Sequence, residues 1–281
     1  MTLAADNRSG RVAGLDQARP VTARPWFLRT RAALSLMSRY TIAIVVIAGA
    51  WHVAAEQFDS PILFPGPLKT LDKAIELVSE GRLQGDILAS LQRILVGFLV
   101  GSLIGAVVGL AMGSFRLVAD VLQPLVNFVR FIAPIAWIGT VMVWFGLGEV
   151  SKVALIIYAT VFVVMLSAIA GVASVHRNKI RAAQCLGSTP RQIFVWVTLP
   201  AALSFILTGM RMAMMNAFMT VVSAEMIAAE SGLGYLIYNS RQWMETDSIF
   251  VGMLTLGVVG LLTDRLFVLL TRTALRRFSQ P

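Results

Sequence analysis

The sequence predicts an all-α polytopic membrane protein with six transmembrane helices and both termini in the cytoplasm. Three observations carry that expectation. The 281 residues are 57% apolar and only 14% charged, well short of the roughly 25% charged residues of soluble domains. Six runs qualify or nearly qualify as the roughly 20 apolar residues that cross a hydrocarbon core about 30 Å thick. Lys and Arg also gather on one side of those runs, which marks that side as cytoplasmic.

In chain order the spans run from Arg39 to Glu56, Ile87 to Gly113, Val121 to Gly146, Val153 to Val175, Pro200 to Ala228 and Ile249 to Leu270. Residues 1–38 then form a basic cytoplasmic tail, 39–272 the transmembrane domain and 273–281 a second cytoplasmic tail. With the N-terminus inside, the inner segments carry Arg8, Arg11, Arg19, Arg24, Arg29, Arg31, Arg39, Arg116, Arg177, Lys179, Arg181, Arg191, Arg272, Arg276 and Arg277 against Asp6, Asp16 and Asp120. The outer segments carry Lys69, Lys73, Arg82, Lys152 and Arg241 against Glu56, Asp59, Asp72, Glu76, Glu80, Asp86, Glu149, Glu230, Glu245 and Asp247. The net charge of +9 is thereby assigned to topology rather than to nucleic-acid binding.

The tail offers WFLRTRAALSLM as a helix lying on the inner membrane surface, or else is an unstructured orienting segment. A cleaved signal peptide is not expected, because the first apolar run begins only near Tyr40. Between the first two spans, PGPLKTLDKAIELVSEG sets Leu68, Leu71, Ile75 and Val78 at helical spacing, with Pro67 near the start and Gly81 at the end. That reads as an amphipathic helix resting on the outer face of the bundle.

In the second span Gly97, Gly101, Gly105, Gly109 and Gly113 recur every fourth residue. The stripe lets a neighbouring helix approach closely. Its drift of about 40° per step on a 3.6-residue helix suggests a crossed neighbour rather than a parallel one.

Charges inside spans are costly and therefore candidates for function. They are Arg93, Arg130, Arg211, Glu225, Asp264 and Arg265. Arg93, Asp264 and Arg265 lie nearer helix ends and fit snorkelling to the interface. Arg130, Arg211 and Glu225 remain as candidates to line a translocation path. Arg211 and Glu225 are about 21 Å apart along one helix and must find other partners.

One cysteine, Cys185, allows no intrachain disulfide. His52 and His176 lie far apart and no metal-ligand spacing occurs, so no metal is expected.

The segment 176–200 stands out between two apolar spans. It reads as a short helix through IRAAQCL, a break at Gly187, a Ser188 cap, a second helix that accepts Pro190 early, and a new span opened by Pro200. Ile193, Phe194, Trp196 and Val197 give it an apolar face that a simple connector does not require.

That loop resembles the cytoplasmic loop of permease subunits of binding-protein-dependent ATP-binding cassette importers, patterned Glu-Ala-Ala, three residues, Gly, nine residues, Ile-x-Leu-Pro. Here it reads Arg181-Ala182-Ala183, three residues, Gly187, nine residues, Val197-Thr198-Leu199-Pro200. Arg181 departs from the family's glutamate. The blocks LFPGPLKTL, ILASLQRILVGFLVGSLIGAVVGL, VWFGLGEVSK and AEMIAAESGLGYLIYNSRQWMETDSIFVGML narrow the resemblance to the nitrate/sulfonate/taurine-type permeases. FIAPIAWIG has fewer prolines than such relatives.

The resemblance implies a type I importer permease fold, a homodimer, two cytoplasmic ATPase subunits and an extracytoplasmic substrate-binding protein. It implies that the helix from Arg181 to Gly187 docks on the ATPase and that Val197, Leu199 and Pro200 belong to the same coupling loop. ATP belongs to the partner, since this chain has no Gly-Lys dipeptide and so no phosphate-cradling loop. The permease itself needs no cofactor and does no covalent chemistry. An ion-coupled secondary transporter would be expected to show an internal repeat and paired embedded carboxylates. A membrane enzyme would need a convergent acid/base constellation. Neither pattern is present in the sequence.

Overall fold

The computed structural model describes residues 42, 45–57 and 63–274, and all regular structure among them is helical. The chain divides into two compact units, residues 1–51 and 52–281, and the packing that follows belongs to the second. Residues 45–57 are helical (α1). The rest of the first expected span, the basic tail with its surface-helix expectation, and residues 275–281 lie outside the described residues.

Helix α2 is Pro67–Ser79, with Pro67 at its first turn where a missing N–H costs nothing. Its placement differs from expectation. Thr70 and Leu77 are buried against the bundle, whereas Leu68, Leu71, Ile75 and Val78 are exposed. The reason lies in the neighbours: Leu77 joins Leu83, Leu233, Leu236 and Val251 in one small core, with Ala74 packed against it, so the helix docks by its edge. On its polar side Lys73 donates to Glu76 (2.9 Å), which raises the Lys73 pKa above its ordinary value.

Helix α3, Arg82–Ser114, follows directly after Gly81 in a left-handed conformation. Four helices among the described residues are long and apolar enough to cross a membrane: Arg82–Ser114, Glu149–Ala173, Pro190–Ile227 and Thr246–Thr271. The pair Arg116–Val129 (α4) and Pro134–Phe145, bent by 86°, passes the same test only when its two helices are taken together, as one broken span or a re-entrant loop. The span expected from Val121 to Gly146, with Pro124 and Pro134 inside it, is thus broken at the second proline. Pro134 opens a 3₁₀ turn, Pro134–Trp137, before α5, Ile138–Phe145. At the break the carbonyls of Val129 and Ile132 both face the Tyr158 hydroxyl, at 2.7 and 2.8 Å.

Helix α6 is Glu149–Ala173, α7 is Arg177–Cys185, α8 is the turn Pro190–Ile193 and α9 is Leu199–Ala228. Pro200 does not open a new helix as expected. A π-helical turn, Phe194–Thr198, carries α8 straight into α9, and Leu199 N–H reaches back to Phe194 O. The widened turn accommodates a proline ring that would otherwise meet the carbonyl four residues earlier. Helices α10, Leu233–Gln242, and α11, Thr246–Ala274, complete the described fold.

The core is a layer of three helices with α6 in the middle. Ile94 and Phe98 of α3, Ile156, Val164 and Ala168 of α6, and Ala202, Ile206, Ala213, Ala217 and Val221 of α9 form its buried centre. The five glycines of the α3 stripe face α6: a Cβ at Gly97 would press on Ile156, at Gly101 on Thr160, at Gly105 on Val164, at Gly109 on Ala168 and at Gly113 on Val172. From Ile156 at one end to Val172 at the other, contact shifts by equal steps on both helices, so α3 and α6 run parallel and track one another. This differs from the crossed neighbour expected from an ideal straight helix, and mutual winding is the physical means of keeping a four-residue stripe on one partner. On its other side α6 meets α9 antiparallel, with Gly171 against Ala202 and Gly209 against Ser167.

Candidate functional site

Three groupings carry the residues singled out by sequence. The first lies where α3 and α6 begin and α9 ends. Glu225 is fully buried there, and Arg93 is 5% exposed. Arg93 donates through Nη1 to Glu225 Oε1 (2.7 Å) and the Ser231 carbonyl (2.7 Å), and through Nε to Glu149 Oε2 (2.5 Å). Its Nη2 donates to Glu149 Oε1 (2.8 Å) and Ser231 Oγ (3.2 Å). All five guanidinium N–H bonds are engaged. Lys152 donates to Glu149 from the other side (2.8 Å).

The loop after α9 wraps this ion cluster. Gly232 N–H donates to Asp86 Oδ1 (2.8 Å), Leu233 N–H to Ser90 Oγ (2.9 Å) and Gly234 N–H to Glu225 Oε2 (2.9 Å). Ser90 Oγ lies 2.8 Å from both Glu225 oxygens and gives its one proton to that carboxylate. Gly232 sits at φ +121, and a Cβ there would fall 2.5 Å from the Glu225 carboxyl carbon. Glycine is therefore required both by conformation and by approach. Asp86 Oδ2 is buried with no partner among the described residues.

Snorkelling, expected for Arg93, is thus corrected. Its partners Glu225 and Glu149 hold it in the protein, and an interface position would leave Glu225 buried and unpaired at a cost of about 3–5 kcal/mol.

The second grouping is the loop 176–200 at the opposite end of α6 and α9. Gly187 adopts φ +77. Ser188 N–H donates to Ala183 O (3.0 Å) and Gly187 N–H to Gln184 O (2.9 Å), the bond pair of a Schellman stop. Thr189, not Ser188, caps the next helix. It forms a capping box with Gln192 (2.8 and 3.4 Å), because Pro190 at the first helical position leaves only the preceding residue as cap. No residue of α7 is buried. Arg181 and Ala182 are exposed and Ala183 half-buried. Leu186 is 85% and Trp196 78% exposed. They flank a notch of about 330 Å³ lined also by Ala183, Gly187, Ser188, Gln192, Ile193 and Val197. Leu199 and Pro200 continue into α9, half-buried.

The third grouping is a pair within the spans. Arg211 of α9 donates through Nε to Asp264 Oδ1 (2.6 Å) and through Nη2 to Oδ2 (2.8 Å), both across to α11. The side chains are 53% and 26% exposed. Arg130 ends α4, exposed, with its guanidinium 4.9 Å from the Phe131 ring centroid. The structure does not bring Arg130, Arg211 and Glu225 together. Arg211 belongs with Asp264, and Glu225 with Arg93.

Sequence reading missed both pairings, although depth could have revealed them. Arg211 lies about 18 Å from the start of α9, and Asp264 about 15 Å from the end of the antiparallel α11. Arg93 and Glu225 both sit toward the other end. Glu149, taken as a loop carboxylate, holds the other edge of the Arg93 guanidinium.

Residues 98–276 match the family described as binding-protein-dependent transport system inner membrane component. The chain is 36% identical over 239 residues to a probable ABC transporter permease protein of Brucella melitensis, covering 85% of this chain and 95% of that one. It is 35% identical over 244 residues to the taurine transport system permease protein TauC of Escherichia coli, covering 85% and 87%. The structure of the MetNI methionine ABC transporter in an inward-facing conformation aligns with a TM-score of 0.59 at 18% identity, over 70% of this chain and 96% of the matched one. That likeness concerns the fold. A multi-pass helical chain with this family match over most of its length belongs to the binding-protein-dependent transport system inner membrane components, the permease subunits of ABC importers.

Proposed function

We propose that this chain is the translocation subunit of an ATP-driven importer in the bacterial inner membrane, working as a homodimer with two cytoplasmic ATPase subunits and an extracytoplasmic binding protein. In this reading six spans cross the membrane with both termini inside, α1 being the described part of the first. Loop 176–200 receives the ATPase. ATP closes the ATPase pair, and α7 passes that motion to the spans as a rigid lever. The exposed loop carries the reading: no residue of α7 is fully buried in its own chain, a Schellman stop fixes its direction, and Leu186 and Trp196 border an unfilled notch.

The cargo is a small, anionic solute such as a sulfonate, taurine or nitrate. Support comes from the relative named for taurine and from Arg130 and Arg211, exposed cations that suit a path for anions. Glu225, fully enclosed, fits a structural part better than a place on that path. Permease, ATPases and binding protein reconstituted in proteoliposomes should import such an anion only when ATP is supplied to the ATPase side. Uptake driven by an ion gradient without ATP would instead favour a secondary transporter. A reporter active only in cytoplasm should work after Pro281 and be silent near Gly81.

A further inference from the structure

We propose that Arg211 and Asp264 form an anion-binding station midway through the spans, with Asp264 holding one edge of the guanidinium while its free edge takes an oxyanion head. The inference rests on the importer reading and deepens it.

Depth and exposure come first. The pair lies about 15–18 Å from the nearer ends of α9 and α11, yet more than half of the Arg211 side chain is uncovered. A guanidinium turned to hydrocarbon at that depth costs at least about 2.5 kcal/mol, so this side of α9 faces something polar. The same side carries Ser204, Thr208 and Met215, all exposed. That stripe suits water better than lipid.

Donor geometry comes next. Asp264 occupies one N–H on Nε and one on Nη2. Arg211 has five N–H bonds, and among the described residues the remaining three have no partner. Two of them point from Nη1 and Nη2 along the end of the fork, the spacing that matches two oxygens of a sulfonate, nitrate or carboxylate. Arg93, with every donor engaged, offers no such edge.

A groove of about 550 Å³ between α9 and α11 ends at Asp264 and is lined by Met214, Met215, Phe218, Met219 and Met253. Methionines give it an adaptable apolar wall for the body of a small solute. Asp264 is then a positioning residue with a second effect. It offsets the positive charge, so an anion is attracted but not held, as passage through a membrane requires. A pair that merely ties α9 to α11 would have no preference between anions and cations.

The test needs no knowledge of the cargo. The assembled permease–ATPase complex, in permeabilised membranes, carries Cys185→Ser and Met215→Cys, one turn from Arg211. Two thiol reagents of similar size are compared, the anionic sulfonatoethyl methanethiosulfonate and the cationic trimethylammonioethyl analogue. The ratio of their rates is normalised to that measured in a parallel complex without either substitution, at Cys185, exposed on the coupling loop. The station predicts an anion preference of about fivefold, of the order that one uncompensated donor fork produces near a protein surface. Arg211→Gln should erase it, Asp264→Asn should raise it further, and methanesulfonate should slow the anionic reagent alone. An unreactive thiol at position 215, or a ratio indifferent to Arg211→Gln in protein that still binds its ATPase, would overturn the proposal. Failure of the importer reading would show separately, as absent ATP-driven uptake by the unsubstituted complex.

Discussion

The two ends of the α3–α6–α9 layer are built on opposite principles. At one end Arg93, Glu225, Glu149, Ser90 and the glycine loop 232–234 bond to each other, and Glu225 and Arg93 are closed off from solvent. At the other end α7 bonds to almost nothing beyond its own turn, and Leu186 and Trp196 stand in the open. The first end satisfies itself, so its residues answer to stability. The second leaves its surface uncovered within the chain, so in the proposed reading its residues answer to a partner. Substitutions at the two ends should therefore separate: those in the cluster lower the amount of folded permease, and those in the loop leave folding intact and uncouple it.

The largest expected effect is Glu225→Ala. It strands Arg93 in a buried site and should cost about 3–5 kcal/mol, read as a collapse of the unfolding midpoint in mild detergent and a loss of protein from the membrane. Equal stability in that variant would mean the cluster is open to water and the comparison wrong.

Gly101→Leu comes next. Its side chain would press on Thr160 and the α6 backbone at Ile157, and overpacking of that kind costs about 1–3 kcal/mol. A lowered unfolding midpoint with the ATPase still bound would place it with the self-satisfied end. Gly232→Ala tests the loop at a similar or smaller scale. Its φ of +121 and the Glu225 carboxylate beneath it both oppose a Cβ, so about 1–3 kcal/mol is expected.

The smallest stability effect is expected at Trp196→Ala. With 78% of its surface exposed, its loss should move the unfolding free energy by no more than about 0.5 kcal/mol, while the fraction of permease that retains its ATPase on purification falls. Arg181→Glu sharpens the same contrast: unchanged stability with lost transport would identify an acidic contact on the ATPase.

How much of this was legible follows the range of each signal. The glycine stripe named its own packing face because a small-residue period is written along one helix. The stop at Gly187 was legible for the same reason, since a left-handed turn depends on one residue. The cap was placed at Ser188 rather than Thr189 because the constraint from Pro190 had not been used. Pairings between helices were not legible in this way. Arg93 with Glu225, and Arg211 with Asp264, join residues far apart in sequence whose meeting depends on helix order and depth. The docking edge of α2 was hidden too, because a helix touching both bundle and surroundings has two apolar sides.

The central claim, that one end of this layer exists for a partner, is tested most directly by Gly187→Val. A Cβ at this position would meet nothing within 4 Å, so only the φ of +77 resists a β-branched residue, and the change redirects α7 without disturbing the spans. The account predicts near-normal amounts in the membrane, an unchanged unfolding midpoint, at least about tenfold less ATPase retained on purification (roughly 1.4 kcal/mol), and no ATP-driven uptake. Normal uptake with the ATPase still bound would contradict it and leave residues 176–200 as a connector.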